Sequence, residues 1–453
     1  MAGYGLLQSR FNKTPADYFL ANRSLPWVVA MFSIVATETS VLTFISVPGL
    51  AYRGTWFFLQ LALGYILGRV LVSFYLLPQY YQQGVTSIYE VLGSRFGRGI
   101  QKTASLVFLV TRVLADGVRF LATAVIIQVI TGWSLPAAVL IIGIVTLIYT
   151  MSGGIKTVVW LDSFQFILYL SGALISIGFI VSHSQSTLPT MFTELTNLGK
   201  TSVFNFSWNI ISNPWSFLSA LIGGMLLSLG SHGVDYMMVQ RALGCKDLKS
   251  AQKAMIGSGF FVFLQFALFL IVGSLIYLYF NGAALTKDRE FSTFIVNSLP
   301  VGLKGILLAG VLSAAMSTLS SSINSLASST VSDWFSKKVT VSTARLISLM
   351  WAAVLIGIAL IFNEGDSAIV IVGLKIASYT YGGLIALFIL SKSKRPYEAF
   401  SLIIGLLVSL AAVFILQLAG IAWTLFIGVA VLINLGTTHI VDLVLKQFTK
   451  IAP

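Results

Sequence analysis

Residues Ala36-Thr37-Glu38-Thr39-Ser40, followed by Thr43 and then Pro48-Gly49, interrupt an otherwise apolar run over 26–52. A helix in lipid has to satisfy its own backbone, so a polar, breakable centre in such a run calls for a reason. Membrane carriers break helices at mid-depth to turn carbonyls and helix ends toward ions and solutes. A second apolar run, 212–240, has a comparable interruption: Gly223-Gly224, then Ser228 to Gly233 with His232 inside it. Gly and Ser also serve close helix packing, which is the competing reading of Gly223-Gly224. The two runs are the first and sixth along the chain. That is the spacing of two five-helix halves repeated with inverted topology.

Composition places the chain in lipid. Its 453 residues are 57% hydrophobic and 9% charged, where a soluble domain has about 25% charged residues. Apolar sequence on this scale outruns any interior a soluble fold could supply. Reading for runs of about 20 mostly apolar residues gives twelve expected spans: 26–52, 54–77, 100–131, 135–152, 158–181, 212–240, 255–280, 303–331, 342–362, 366–390, 397–417 and 421–445. The expected organisation is an N-terminal segment (1–25), a first half (26–181), a second half (182–390) and two C-terminal helices (391–453). The outer loops 182–211 and 281–302 are long enough for short interfacial helices. Met1 to Leu7 is too short to span a bilayer, and no cleavable signal is read there. Cys245 is the single cysteine, so no internal disulfide is expected.

The net charge of +13 does not require a nucleic-acid partner, because Lys and Arg collect on the cytoplasmic side of membrane proteins. With the N-terminus inside, 19 of the 28 basic residues fall in inner segments, Arg241 among them. Five (Arg53, Lys200, Lys287, Arg289, Lys304) fall outside. The other four, Arg69, Arg112, Arg119 and Lys375, lie within apolar runs.

Two patterns point to a transport site. The span 303–331 carries a dense hydroxyl stripe from Ser313 to Ser325, in which positions 314, 317, 318 and 321 share one helical face. Ser317 and Thr318 hydroxyls and the Ala314 carbonyl, with carbonyls from a broken Ala36–Thr39 segment, suit a sodium ion. Helix packing by small hydroxyl residues is the alternative. Charges inside the membrane are the second pattern, because they are costly and therefore functional candidates. They are Glu38, Asp116 and Asp162 against Arg69, Arg112, Arg119 and Lys375. Arg112, Asp116 and Arg119 share a face at i, i+4 and i+7. Mutual ion pairing accounts for part of this set. Lys375 and Arg119 suit a carboxylate or phosphate, and Glu38 suits an ammonium or sugar hydroxyls, so anionic, zwitterionic and neutral solutes all stay open.

Four motifs, in order, resemble the sodium:solute symporter family, whose members have the LeuT-like fold. They are Lys13-Thr14-Pro15-Ala16-Asp17-Tyr18-Phe19 running to Trp27, the Gly-Gly segment from Tyr149 to Lys156 with Asp162 after it, Asp235-Tyr236-Met237-Met238-Val239-Gln240-Arg241, and Ala314-Ala315-Met316-Ser317-Thr318-Leu319-Ser320-Ser321. The resemblance implies an all-α membrane protein of about twelve transmembrane helices with a 5+5 inverted-repeat core. It implies a sodium site at Ala36, Thr39, Ala314, Ser317 and Thr318, and a second at Asp162, Ser317, Ser320 and Ser321, hence one or two coupling Na+ ions. It implies a substrate pocket at Glu38, Ser40, Thr43, Trp56 and Gln60; the third- and tenth-span charges Asp116, Arg119 and Lys375 are candidates beside it. The carboxylate-binding arginine of sialic-acid members aligns with Ala115, which points away from sialic acid. Members also have a helix before Lys13, of which Gly3 to Leu7 looks like the tail.

The expected activity is sodium-coupled symport of a small organic solute (a sugar, organic acid or amino-acid-like molecule) by alternating access. The expected setting is a bacterial inner membrane, with the protein acting as a monomer, without organic cofactor or enzymatic function. A proton-coupled carrier, with Glu38 or Asp162 carrying the proton, is the nearest alternative. A membrane sensor is another, disfavoured because no signalling sequence follows the last span.

Overall fold

The computed structural model describes residues 14–39, 41–335, 339–361 and 369–451. Ser40 and the Gly3–Leu7 segment lie outside them. The described chain is helical, with a single isolated bridge between Leu25 and Cys245. In chain order the helices are α1 (Pro15–Leu20), α2 (Trp27–Glu38), α3 (Val41–Arg53), α4 (Phe58–Leu71), α5 (Leu77–Gln83), α6 (Glu90–Phe96), α7 (Arg98–Thr131), α8 (Leu135–His183) and α9 (Leu188–Asn197). They continue as α10 (Phe217–Leu229), α11 (Tyr236–Leu243), α12 (Leu248–Tyr279), α13 (Glu290–Ser298), α14 (Val301–Ser329), α15 (Val341–Ile361), α16 (Ile369–Ser391), α17 (Ala399–Leu418) and α18 (Phe426–Ile451).

Among the described residues, nine helices are long and apolar enough to cross a membrane, and ten if α2 and α3 form one span bent by 59°. The remaining two expected spans are also helical. One is α7, which carries Arg112, Asp116 and Arg119 at its centre. The other is 135–148, a short apolar helix at the start of α8. Helix α8 runs on past this piece because only Gly154 leaves the helical conformation, at φ 62° and ψ −166°. A side chain there would meet the Tyr18 carbonyl oxygen at 2.7 Å, so the turn requires glycine twice over, for its positive φ and for space. Segments 182–211 and 281–302 carry the short helices α9 and α13.

Two readings shift. Pro48 sits inside α3, so Pro48-Gly49 does not end that helix. Gly223-Gly224 does not break α10 either. Cβ atoms there would lie 2.5 Å from Thr424 and 2.2 Å from the Leu61 carbonyl oxygen. Gly224 lets α10 press backbone to backbone on α4, and Gly223 lets it press on the turn at Thr424 before α18, the packing role of small residues in membranes. The break comes one turn later, where Gly230–Val234 form a π-turn and Asp235 is extended (φ −97°, ψ 114°) before capping α11 through the Met237 amide at 3.0 Å. Buried carbonyls freed by such a break need partners. The Tyr80 hydroxyl donates to Gly233 O at 2.7 Å and the Tyr89 hydroxyl to Val234 O at 2.9 Å.

The charge tally also needs one correction. Arg241, expected in an inner loop, is fully buried in α11. Helix α12 follows after Asp247, whose carboxylate accepts from the Ser250 amide at 2.7 Å; that bond holds its carboxyl below the usual range.

Candidate functional site: a charged cavity between two broken helices

Helix α2 ends where Thr39 turns out of the helix (φ −79°, ψ 80°). Its hydroxyl is engaged by the Gln265 side chain on α12 at 2.9 Å, so its carbonyl is what it can offer an ion. The two breaks flank a cavity of about 50 Å³. Glu38 and Thr43 line it from the first break, and Ser231 and His232 from the second; Arg112 and Arg119 face it from α7. Phe58 and Tyr65 on α4 and Phe266 on α12 form a more apolar wall. Helix α16 closes the cavity with Val370, Gly373, Leu374, Ala377 and Tyr381, a stripe at i, i+3, i+4, i+7 and i+11.

Burying a charge is costly unless it is paired, and these charges are paired. Glu38 Oε2 is bound by Arg69, whose other amine donates to Ser258 Oγ at 2.6 Å. Asp116 takes Arg112 at 3.3 Å and Arg119 at 3.1 Å on one oxygen and Ser322 on the other. Arg112 also meets Asp235 at 2.8 Å, and the Tyr381 hydroxyl donates to Asp235 at 2.7 Å. His232 sits with Nδ1 2.8 Å from Ser231 Oγ and Nε2 3.6 Å from Glu38. Its buried Nε2 has no hydrogen-bond partner, nor have the Nε atoms of Arg69, Arg112 and Arg119.

The second constellation centres on Asp162. Ser317 Oγ donates to its Oδ1 at 2.5 Å, and Ser33 and Thr37 donate to Oδ2 at 2.7 and 3.3 Å. Ser320 Oγ donates to Ser317 O at 3.0 Å. The Arg241 guanidinium enters the same cluster. Its Nη2 lies 3.3 Å from Asp162 and donates to Ser321, while Nε donates to Ser33 at 2.9 Å and Nη1 to Met237 O at 2.6 Å. Helices α2 and α14 meet here through Thr37 and Ser321, 3.4 Å apart. Thr318 lines a narrow gap with Asp116, Arg119 and Ala315.

Of the expected substrate residues, Glu38, Thr43 and Arg119 line the cavity, and Asp116 holds Arg119 beside it. Trp56, Gln60 and Lys375 are set away from it. The Trp56 indole donates to Ser274 at 2.9 Å. The Gln60 amide bonds the Phe57 and Trp215 carbonyls and accepts from the Asn205 amide, tying down the segment before α10. Lys375 lies off the cavity stripe of α16 and lines a separate pocket with Ser212, Gln417 and Trp423. Tyr381, His232 and Asp235 complete the site; the i+7 step from Leu374 and the i+4 step from Ala377 are the signal that leads to Tyr381.

A cavity bounded by two interrupted helices thus lies at the centre of a helical, membrane-spanning fold. The chain belongs to the sodium:solute symporter family, whose model matches residues 18–391. It is 30% identical over 340 residues to the human sodium/iodide cotransporter, covering 71% of this chain and 51% of that protein, so it spans about half of that relative's length. It is 26% identical to the sodium/sialic acid symporter SiaT of Proteus mirabilis over 90% of this chain and 85% of that one. Its fold superposes on a Na+-coupled sialic acid symporter structure with a TM-score of 0.87 at 23% identity, covering 98% of this chain and 95% of that one.

Proposed function

We propose that the protein is a sodium-coupled symporter that carries a small organic solute through the central cavity by alternating access, in a bacterial inner membrane with residues 1–25 cytoplasmic. The observation that carries this reading is the pair of breaks, at Thr39 and at Gly230–Asp235, facing one charged cavity. Family membership supports it. The two halves, 26–181 and 182–390, are the bodies that rock about the site. One sodium ion takes the Ala36 and Thr39 carbonyls, the Ala314 carbonyl and the Ser317 and Thr318 hydroxyls. A second at Asp162, Ser317, Ser320 and Ser321 requires Arg241 to withdraw, because two cations would otherwise share one buried carboxylate.

Thermal unfolding of the purified protein in NaCl against KCl tests the ion. Binding at a hundredfold excess over Kd stabilises by about 2.7 kcal/mol. The native chain gains stability in sodium and Ser317→Ala loses that gain; equal melting in both salts contradicts the proposal.

A further inference from the structure

Four basic residues lie within apolar runs, and three of them, Arg69, Arg112 and Arg119, are paired with acids. Lys375 is not. It is the sixth residue of the membrane-crossing stretch Val370–Ser391, more than a helical turn inside it. Among the described residues, no hydrogen bond or ion pair reaches its ammonium. A charge at that depth is costly unless something offsets it.

The surroundings show what kind of partner fits. Lys375 lines a pocket of about 270 Å³ between α16, the segment before α10, the end of α17 and the start of α18. Ser212 and Gln417 are its other polar side chains, and Trp423 and Phe426 its aromatic ones. None of the described lining residues is acidic. The pocket therefore presents one uncompensated positive charge beside two neutral hydrogen-bonding groups. It suits a single anionic group, and the ammonium of a zwitterion finds no carboxylate there.

The pocket also borders lipid. Phe414, Gln417 and Leu418 stand at i, i+3 and i+4, on one face of α17, and Phe414 and Leu418 are 60% and 88% exposed. On α16, Tyr379 lies one turn deeper than Lys375 on the same face. Its ring packs on Phe414 at 5.0 Å and on Phe426 at 5.8 Å. A cationic pocket near a helix end, with an aromatic and aliphatic strip one turn deeper, matches both halves of a phospholipid: a phosphate for the cation and an acyl chain for the strip. A soluble anion uses only the first half.

We propose that this pocket holds the headgroup of an anionic phospholipid, with its phosphate on Lys375, its headgroup hydroxyls on Ser212 and Gln417, and one acyl chain along Tyr379 and Phe414. The site lies off the α16 stripe that closes the central cavity, so it stands whether or not sodium drives transport.

The full chain, purified in detergent and stripped of lipid, is titrated with dioleoylphosphatidylglycerol, dioleoylphosphatidylethanolamine and inorganic phosphate, and bound lipid is counted by native mass spectrometry. One phosphatidylglycerol binds ahead of any other, and phosphatidylethanolamine binds more weakly. Lys375→Gln weakens that first phosphatidylglycerol by about fivefold, the weight of one lysine near an anionic headgroup, and Lys375→Arg restores it. Lys394→Gln, at an exposed loop lysine, leaves it unchanged. A phosphatidylglycerol with a diazirine on its acyl chain cross-links the native chain at or beside Tyr379 and Phe414, which reads the site without any substitution. Equal binding of the two lipids, an unchanged affinity in Lys375→Gln, an equal loss in Lys394→Gln, cross-links confined to other helices, or inorganic phosphate that displaces the lipid each overturns the proposal.

Discussion

Asp162 receives Ser33, Thr37, Ser317 and Arg241 in one fully buried cluster. A buried ion pair is weak evidence of net stability, but removing one partner strands the other, at about 3–5 kcal/mol. Asp162→Ala is therefore expected to lower thermal stability by that amount, and Asp162→Ala with Arg241→Met to recover most of it. Additive losses in that double-mutant cycle, read from melting curves, mean that the pair is not coupled. Asp162 was legible from the sequence as a charge in an apolar run. Its partner was not, because Arg241 sits among Lys246, Lys249 and Lys253 in a basic stretch that reads as a loop. Only the fold around Asp235 and α11 pulls it inward. Lys375 failed in the opposite direction. It is a charge in an apolar run, but lies a third of a helical turn from the stripe that meets the cavity.

Broken helices were legible as elements, less so as positions. The cluster Thr37-Glu38-Thr39 located the first break, because polar groups at mid-span have no other use for their backbone. In the sixth span, glycines serve two purposes: Gly223 and Gly224 let α10 touch Thr424 and α4 respectively, while Gly230 and Gly233 belong to the π-turn. Composition does not separate the two roles, since the difference is which neighbour approaches. What makes the second break tolerable is also remote in sequence: the Tyr80 and Tyr89 hydroxyls that take its carbonyls. Leaving a buried acceptor unpaired costs about 1–3 kcal/mol. Tyr80→Phe is predicted to lose that much stability in chemical unfolding, while Tyr75→Phe, on the more exposed face of the π-turn after α4, loses less than about 0.5 kcal/mol. Equal effects contradict this account of the break.

For the molecule as a whole, the apolar composition and alternating loop charges led to a many-span helical membrane protein, and the ordered motifs led to its family. They did not determine how the core's charges cancel, because pairing across α2, α4, α7, α8 and α11 is a property of the assembled bundle. The measurement that tests the proposed sodium coupling most directly is accumulation in proteoliposomes, under a sodium gradient with a protonophore present and against a proton gradient with no sodium, of whichever sugar, organic acid or amino acid raises the protein's melting temperature. The account predicts transient accumulation above equilibrium in the first condition and none in the second. Full accumulation driven by the proton gradient in the absence of sodium would contradict it.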